Sequence, residues 1–123
     1  MSKQLLVTSA LPYANGPLHF GHLLEHVQTD IWVRVNKLLK NDCIYVCASD
    51  AHGTPVMLKA ESEGIKPEEL IKNITKDHKK SLEGFYISHD NYHTTHSEEN
   101  KKYSELIFSR ADKKGLILKK TII

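Results

Sequence analysis

The chain opens with a continuous apolar run, Leu5-Leu6-Val7, that passes through Thr8 and Ser9 to Ala10. A short unbroken run of this kind predicts a strand over Leu5–Ser9, buried on both sides in a parallel sheet. The period then changes. Leu24, Val27, Ile31, Val35 and Leu38 recur at helical spacing, which predicts a helix from about Gly21 to Lys40 with that stripe against the sheet. Asn41 and Asp42 turn into a second strand, Cys43–Ala48. Thr54-Pro55 supplies a hydroxyl cap and a proline at the first position of a second helix, which stops at Gly64. Pro67, with Glu68 and Glu69 in the first turn, opens a third helix. Its buried side is Leu70, Ile74 and Leu82, and Gly84 ends it. From His89 to His96 the chain is polar and histidine-rich, and a loop is predicted. Ser97 caps a fourth helix with an apolar face of Tyr103, Ile107 and Ala111; Lys113 and Lys114 lie in its last turn and Gly115 stops it. Leu116–Leu118 and Thr121–Ile123 read as the start of another strand.

The predicted order, β-α-β-α-α-α-β, is the opening half of a Rossmann-like, doubly wound parallel α/β sheet. A half sheet exposes apolar edges that stable monomers avoid, so residues 1–123 are expected to be a fragment of a longer chain. There is no internal repeat and no low-complexity linker. At 123 residues the length is about one domain, with an ordinary apolar content of 40% and charged content of 26%. A net charge of +2 neither requires nor excludes a nucleic-acid partner. The two cysteines, Cys43 and Cys47, share one predicted strand, where their Cα atoms stand roughly 13 Å apart, too far for a disulfide. No Cys-x-x-Cys pair is present to hold zinc. Reduced thiols, with no apolar run of membrane-spanning or signal-peptide type, predict a cytoplasmic protein without membrane contact.

Candidate chemistry concentrates in Leu11-Pro12-Tyr13-Ala14-Asn15-Gly16-Pro17-Leu18-His19-Phe20-Gly21-His22. A strand that feeds a glycine-bearing turn into a helix N-terminus is how α/β folds hold phosphate. His19 and His22 fall on the first helical turn, where imidazole N–H donors can follow charge that builds on a phosphate during ATP chemistry. Gly21 leaves room for an adenine against the backbone. The bland alternative is a pair of surface histidines.

A second block, Ala48-Ser49-Asp50-Ala51-His52-Gly53-Thr54-Pro55, lies at a strand's C-terminal end, where ligands of open α/β sheets gather. Asp50 could accept a hydrogen bond from a substrate ammonium, or be an ordinary loop aspartate beside a helix. The third cluster, His89, Asp90, His93 and His96, has metal-chelating spacings, although a solvated loop with some substrate contact explains it as well. Trp32 is read as helix packing. Lys37, Lys40, Lys79 and Lys80 read as solvated faces or weak RNA contacts.

The run Ala10–Gly16 leading into His19-Phe20-Gly21-His22 resembles the first signature motif of the methionyl-tRNA synthetase family, class I aminoacyl-tRNA synthetases. Asp50–Pro55 and Asp90–Asn100 resemble later blocks of the same family, in the same order, so the resemblance covers about Leu5 to Thr121. It implies activation of methionine with ATP, supplied with Mg²⁺, to methionyl-adenylate and transfer to tRNA(Met). Carried over by position, His19 and His22 would stabilise the pentacoordinate α-phosphate. An ATP site would draw on Pro12, Tyr13, Asn15, Gly16, His19, Gly21 and His22, with Gly21 packing the adenine. The methionine pocket would be Ala10, Leu11, Tyr13 and Asp50, bordered by Tyr92 and His93, with Asp50 on the ammonium.

Phe20 departs from the family's aliphatic residue and is expected to pack inward. The family's second motif, Lys-Met-Ser-Lys-Ser, does not occur, nor does the cysteine knuckle that binds Zn²⁺ in the variant carrying Asp-Ala-His-Gly-Thr-Pro, nor a helical anticodon-binding domain. No metal ligand set is therefore expected in residues 1–123, which form the N-terminal half of the catalytic domain and are expected to be inactive alone. The complete enzyme is expected to be a monomer or homodimer. Two alternatives stay open on the residues: a small nucleotidylyltransferase of cofactor biosynthesis that uses the same His-x-Gly-His turn, and a non-catalytic metal-binding module built on His89–His96.

Overall fold

The computed structural model describes residues 3–121. Its elements are β1 (Gln4–Thr8), α1 (Phe20–Leu38), β2 (Asp42–Ser49), α2 (Thr54–Glu63), α3 (Pro67–Gly84), β3 (Asn91–Thr94) and α4 (Glu98–Lys113). The strands make one parallel sheet in the order β1-β2-β3. Leu5 lies opposite Cys43 and Thr8 opposite Val46, while Val46 to Ser49 pair with Asn91 to Thr94. The architecture is the expected α/β one.

Alternation along β2 sorts the two faces of the sheet. Cys43, Tyr45, Cys47 and Ser49 are all buried; the first two pack with Val33 of α1, Leu82 of α3 and Ile87 in one core cluster. Ile44 points the other way and is 48% exposed. A second cluster joins Ala14 and Ala51, from the loops after β1 and β2, to Val56 and Ala60 of α2 and Leu70, Ile71 and Ile74 of α3. Each buried Val, Leu or Ile of this cluster contributes about 1.5–3 kcal/mol, and the loop alanines pack against them, so the loops at the strand ends rest on core rather than on solvent.

Several elements follow local signals. Gly64 ends α2 in the left-handed region at φ 67°, Pro67 opens α3, and the Ser97 side chain accepts the Asn100 N–H at the start of α4. At α2 the cap is Gly53, one residue before the expected Thr54.

Other expectations are corrected. The inward face of α1 is Leu23, His26, Val27, Asp30 and Val33, whereas Leu24, Ile31, Val35 and Leu38 are exposed, as are Trp32 and Phe20. The winning stripe is polar at two positions because Asp30 has work inside: its Oδ1 accepts the Ser88 N–H at 3.1 Å and its Oδ2 binds Arg34, which also donates to the Tyr86 carbonyl. β1 is not buried on both sides, since Leu6 is 77% exposed. No residue of α4 is buried, so Tyr103 and Ile107 do not form a packed face.

The expected loop at His89–His96 contains β3 instead, which makes the order β-α-β-α-α-β-α. Asn91-Tyr92-His93-Thr94 has no apolar alternation of its own; the free edge of β2 recruits it. Asp90 begins the ladder, its N–H donating to the Tyr45 carbonyl and its carboxylate accepting the Tyr45 N–H at 2.7 Å. Lys37 holds the same carboxylate at 2.9 Å and is therefore no idle surface lysine. Leu116–Leu118 form no strand, and residues 122 and 123 of the other expected strand lie outside the described residues.

Candidate functional site

Parallel strands bring all their C-terminal ends to one rim, and three loops meet there. The loop after β1 is stitched to the one after β2 through the backbone. Asp50 N–H donates to the Pro12 carbonyl at 2.8 Å and Ala14 N–H to the Asp50 carbonyl at 2.7 Å, an isolated parallel bridge that sets Tyr13 opposite Asp50. Pro12 and Ala14 are buried on either side of Tyr13. The loop after β3 joins through Thr95, whose hydroxyl accepts the Ala51 N–H at 2.8 Å and whose N–H donates to the Ser49 carbonyl at 3.0 Å.

Tyr13 lies over Gly53. A Cβ on Gly53 would overlap the Tyr13 hydroxyl, and Gly53 has φ 139° and ψ 158°, a region essentially closed to residues with a side chain. The glycine of the Asp50–Pro55 block is thus required twice over, by conformation and by contact.

His19 and His22 form a capping box made of imidazoles at the start of α1. The Nδ1 of His19 accepts the Gly21 N–H at 3.1 Å, and the Nδ1 of His22 accepts the His19 N–H at 3.3 Å. Because Nδ1 is an acceptor in both rings, a neutral ring carries its proton on Nε2. The rings stack with centroids 3.7 Å apart at 23°, so two Nε2–H donors sit side by side at a helix N-terminus. Burial, then the neighbouring His19 and His78, hold the His22 imidazole below its ordinary value despite Glu25. Gly21 packs against His19: a Cβ there would sit 3.0 Å from Cε1 and 3.1 Å from Nδ1 of the ring.

His78 was not among the candidate residues. It is 1% exposed on α3, and its Nε2 donates to the Gly16 carbonyl at 2.7 Å, which pins the turn that precedes His19. The signal was present, since His78 falls midway between Ile74 and Leu82 on the buried stripe of α3. Glu25 performs a similar service at the other end of the loop, accepting the Ala10 N–H at 2.6 Å.

Of the remaining candidates, Leu11 is 41% exposed beside Ala10, and Asn15 N–H closes a tight turn onto the Tyr13 carbonyl at 2.9 Å. Tyr92 and His93 are neighbours on β3 and point to opposite faces. Tyr92 shares the core side, with its hydroxyl 3.3 Å from Ser49 Oγ, and burial raises its phenol above the ordinary value. His93 faces outward and pairs with Glu99 at 3.6 Å. A cavity of about 460 Å³ opens nearby, lined by His52, Thr95, His96 and the first turn of α4; it shares the rim but none of the residues expected to bind ATP or methionine.

The cluster His89, Asp90, His93 and His96 does not converge. Asp90 is engaged by Lys37 and Tyr45, His93 by Glu99, and His96 lies 5.4 Å from His52 between ring centroids. The two cysteines, Cys43 and Cys47, are free and buried in β2. No helix among the described residues is long and apolar enough to cross a membrane.

Known proteins share this fold. A Mycobacterium tuberculosis methionyl-tRNA synthetase in complex with methionyl-adenylate superposes with a TM-score of 0.86 at 25% identity, over 94% of this chain and 22% of that one. A second structure of the Mycobacterium tuberculosis enzyme, bound by methionyl-adenylate, gives 0.86 at 24% identity, over 93% and 22%. The chain therefore spans about a fifth of the length of these structures. The family described as tRNA synthetases class I (M) matches residues 5–123. That match spans all three rim loops: the chain belongs to the class I tRNA synthetase (M) family.

Proposed function

We propose that residues 1–123 form the N-terminal half of the catalytic domain of an enzyme that activates methionine with ATP and passes it to tRNA(Met). The observation that carries this reading is the backbone bridge between Tyr13 and Asp50, which joins the family's first block, the one that also holds the stacked pair His19 and His22, to its second.

In this reading the methionine carboxylate attacks the α-phosphorus of ATP and pyrophosphate leaves. Negative charge builds on the phosphate oxygens as the bonds exchange. The Nε2–H groups of His19 and His22 face that charge, already aligned by their backbone bonds, so no reorganisation is needed at the moment of reaction. Gly21 keeps the backbone bare for the adenine, and Pro12, Asn15 and Gly16 shape the turn around the nucleotide. The Asp50 carboxylate accepts from the methionine ammonium. Ala10, Leu11 and Tyr13 offer an apolar wall to an unbranched thioether, whose sulfur has no strong hydrogen bond to read. Tyr92 and His93 lie on different faces of β3, so only one of them can line the pocket in this arrangement. Mg²⁺ accompanies ATP and supplies charge neutralisation on its phosphates. Catalysis is positioning and charge stabilisation, with no covalent enzyme intermediate.

The test is methionine-dependent ATP–pyrophosphate exchange in the complete enzyme with the His19→Ala/His22→Ala pair. One preorganised donor is worth about 10²–10³ in rate, whereas losing a helix cap costs about 1 kcal/mol of stability. Exchange should fall by about 10³ or more while the melting transition moves little. Unchanged exchange sinks the assignment, and loss of folding would make the two histidines structural. The 123-residue chain alone is expected to be inactive in the same assay.

A further inference from the structure

Behind the rim, on the core side of the sheet, three side chains from distant parts of the chain converge. His26 comes from α1, Cys47 from β2 and His89 from the segment entering β3. One ring nitrogen of each histidine and the Cys47 Sγ all lie within 4.8 Å of one another. None of the roles proposed above uses them. Two polar atoms here have no partner although they are buried: His26 Nε2 and His89 Nε2. An unpartnered buried polar atom costs about 1–3 kcal/mol, so two in one cluster call for a ligand.

We propose that His26, Cys47 and His89 bind one Zn²⁺ ion, which ties α1, β2 and the start of β3 together.

The donor set is right for a borderline-soft cation, which takes imidazole nitrogen and thiolate sulfur together. Tetrahedral zinc wants its ligand atoms roughly 3.3–3.6 Å apart, which small side-chain rotations deliver from the separations present. His26 is already oriented. Its Nδ1 lies 3.1 Å from the Ser9 hydroxyl and 3.3 Å from the Tyr45 hydroxyl, and with Nδ1–H donating to oxygen the free lone pair is on Nε2. This is the outer support that metal-binding histidines ordinarily have. The His26 side chain is 1% exposed. Cys47 Sγ makes only long contacts of 3.7–3.9 Å, to the Ser9 hydroxyl and to carbonyls, so no strong bond must break. The rings of Tyr45 and Tyr92 flank His89 with centroids 4.3 and 5.2 Å away. A cavity of about 250 Å³, bounded by Lys79, Glu83, His89 and Tyr92, gives an entry path from the surface and room for a water as fourth ligand.

Protonation states favour the same chemistry. Burial, and then the neighbouring His26, drives the His89 imidazole down to about 4, and burial also lowers His26. Both rings are therefore neutral donors near pH 7. Burial raises the Cys47 thiol, so without metal it keeps its proton. Binding then forms the Zn–S bond, breaks the S–H bond and sends one proton to solvent for each ion bound.

The experiment is a titration of the untagged 123-residue chain with Zn²⁺, read by chelator competition and proton release, and with Co²⁺, read by the thiolate-to-cobalt charge-transfer band. The expected result is one equivalent of metal, one proton released, and a charge-transfer band that survives Cys43→Ser and disappears in Cys47→Ser. Second-sphere partners alone are worth 10–100-fold in affinity, so His89→Gln should weaken Zn²⁺ binding by about 100-fold or more; it also decides the matter if Cys47→Ser fails to fold. No thiolate band, a band lost with Cys43 rather than Cys47, or unchanged affinity in His89→Gln would overturn the site.

Discussion

Replacing Gly53 with alanine probes the contact that joins the two blocks of the site. The structure assigns it two separate costs. The first is conformational: φ 139° with ψ 158° is held by residues with a Cβ only at about 1–3 kcal/mol of strain. The second is steric, since the new methyl would overlap the Tyr13 hydroxyl, and overpacking of this kind costs about 1–3 kcal/mol. Together they predict a loss of about 3 kcal/mol. Gly64→Ala is the control. It also stands at positive φ, 67°, but nothing lies within 4 Å of its Cβ position, so only the left-handed penalty of about 1 kcal/mol applies. In urea, with a slope of about 1.5 kcal/mol per molar for a chain of this size, the two midpoints should differ by about 1–1.5 M. Adding Tyr13→Ala to Gly53→Ala should recover the steric part and leave the conformational part. If Gly53→Ala costs no more than Gly64→Ala, or Tyr13→Ala recovers nothing, Tyr13 does not lie over Gly53 and the joining of the blocks is misread.

Gly21→Ala should leave stability near wild type, because a helix-propensity gain of about 1 kcal/mol offsets a weakened cap of similar size; the new methyl, 3.0 Å from the His19 ring, should instead unstack His19 from His22, visible in their ring proton shifts, and unmoved shifts would refute the packing. His78→Ala removes the donor to the Gly16 carbonyl and opens a cavity, with an expected loss of about 2–4 kcal/mol in a urea melt and displaced Gly16 amide resonances; a normal Gly16 signal would sink the contact. Asp90→Asn tests a pH dependence whose sign is determined. The Tyr45 N–H and Lys37 hold the Asp90 carboxyl below its ordinary value of 3.8, so its contribution is complete above 3.8 and vanishes as the pH falls through the lower folded value. The wild type should exceed the variant by about 1 kcal/mol near neutrality, with the gap closing only at the acid end. A gap that widens on acidification contradicts the pairing.

Boundaries and chemical character were legible in the chain alone, because the signals that set them act within one helical turn. Gly64 and Pro67 punctuate α2 and α3 by their own backbone preferences, Ser97 caps α4 with a bond only three residues long, and the residue types of Leu11–His22 mark that stretch as the candidate site before any fold is known. Which face of a helix is buried could not be read the same way. α1 carries two competing stripes, and the apolar one lost because Asp30 and His26 find hydrogen-bond partners inside, at Ser88 and Ser9. β3 depends on the free edge of β2 rather than on its own four residues. His78 reaches a carbonyl 62 positions away, and Tyr13 meets Asp50 only because parallel strands end at one rim. Local sequence sets what a segment prefers; tertiary structure decides which polar groups find partners. Since a buried polar group without one costs more than an exposed leucine, that decision selected the inner faces and assembled the site.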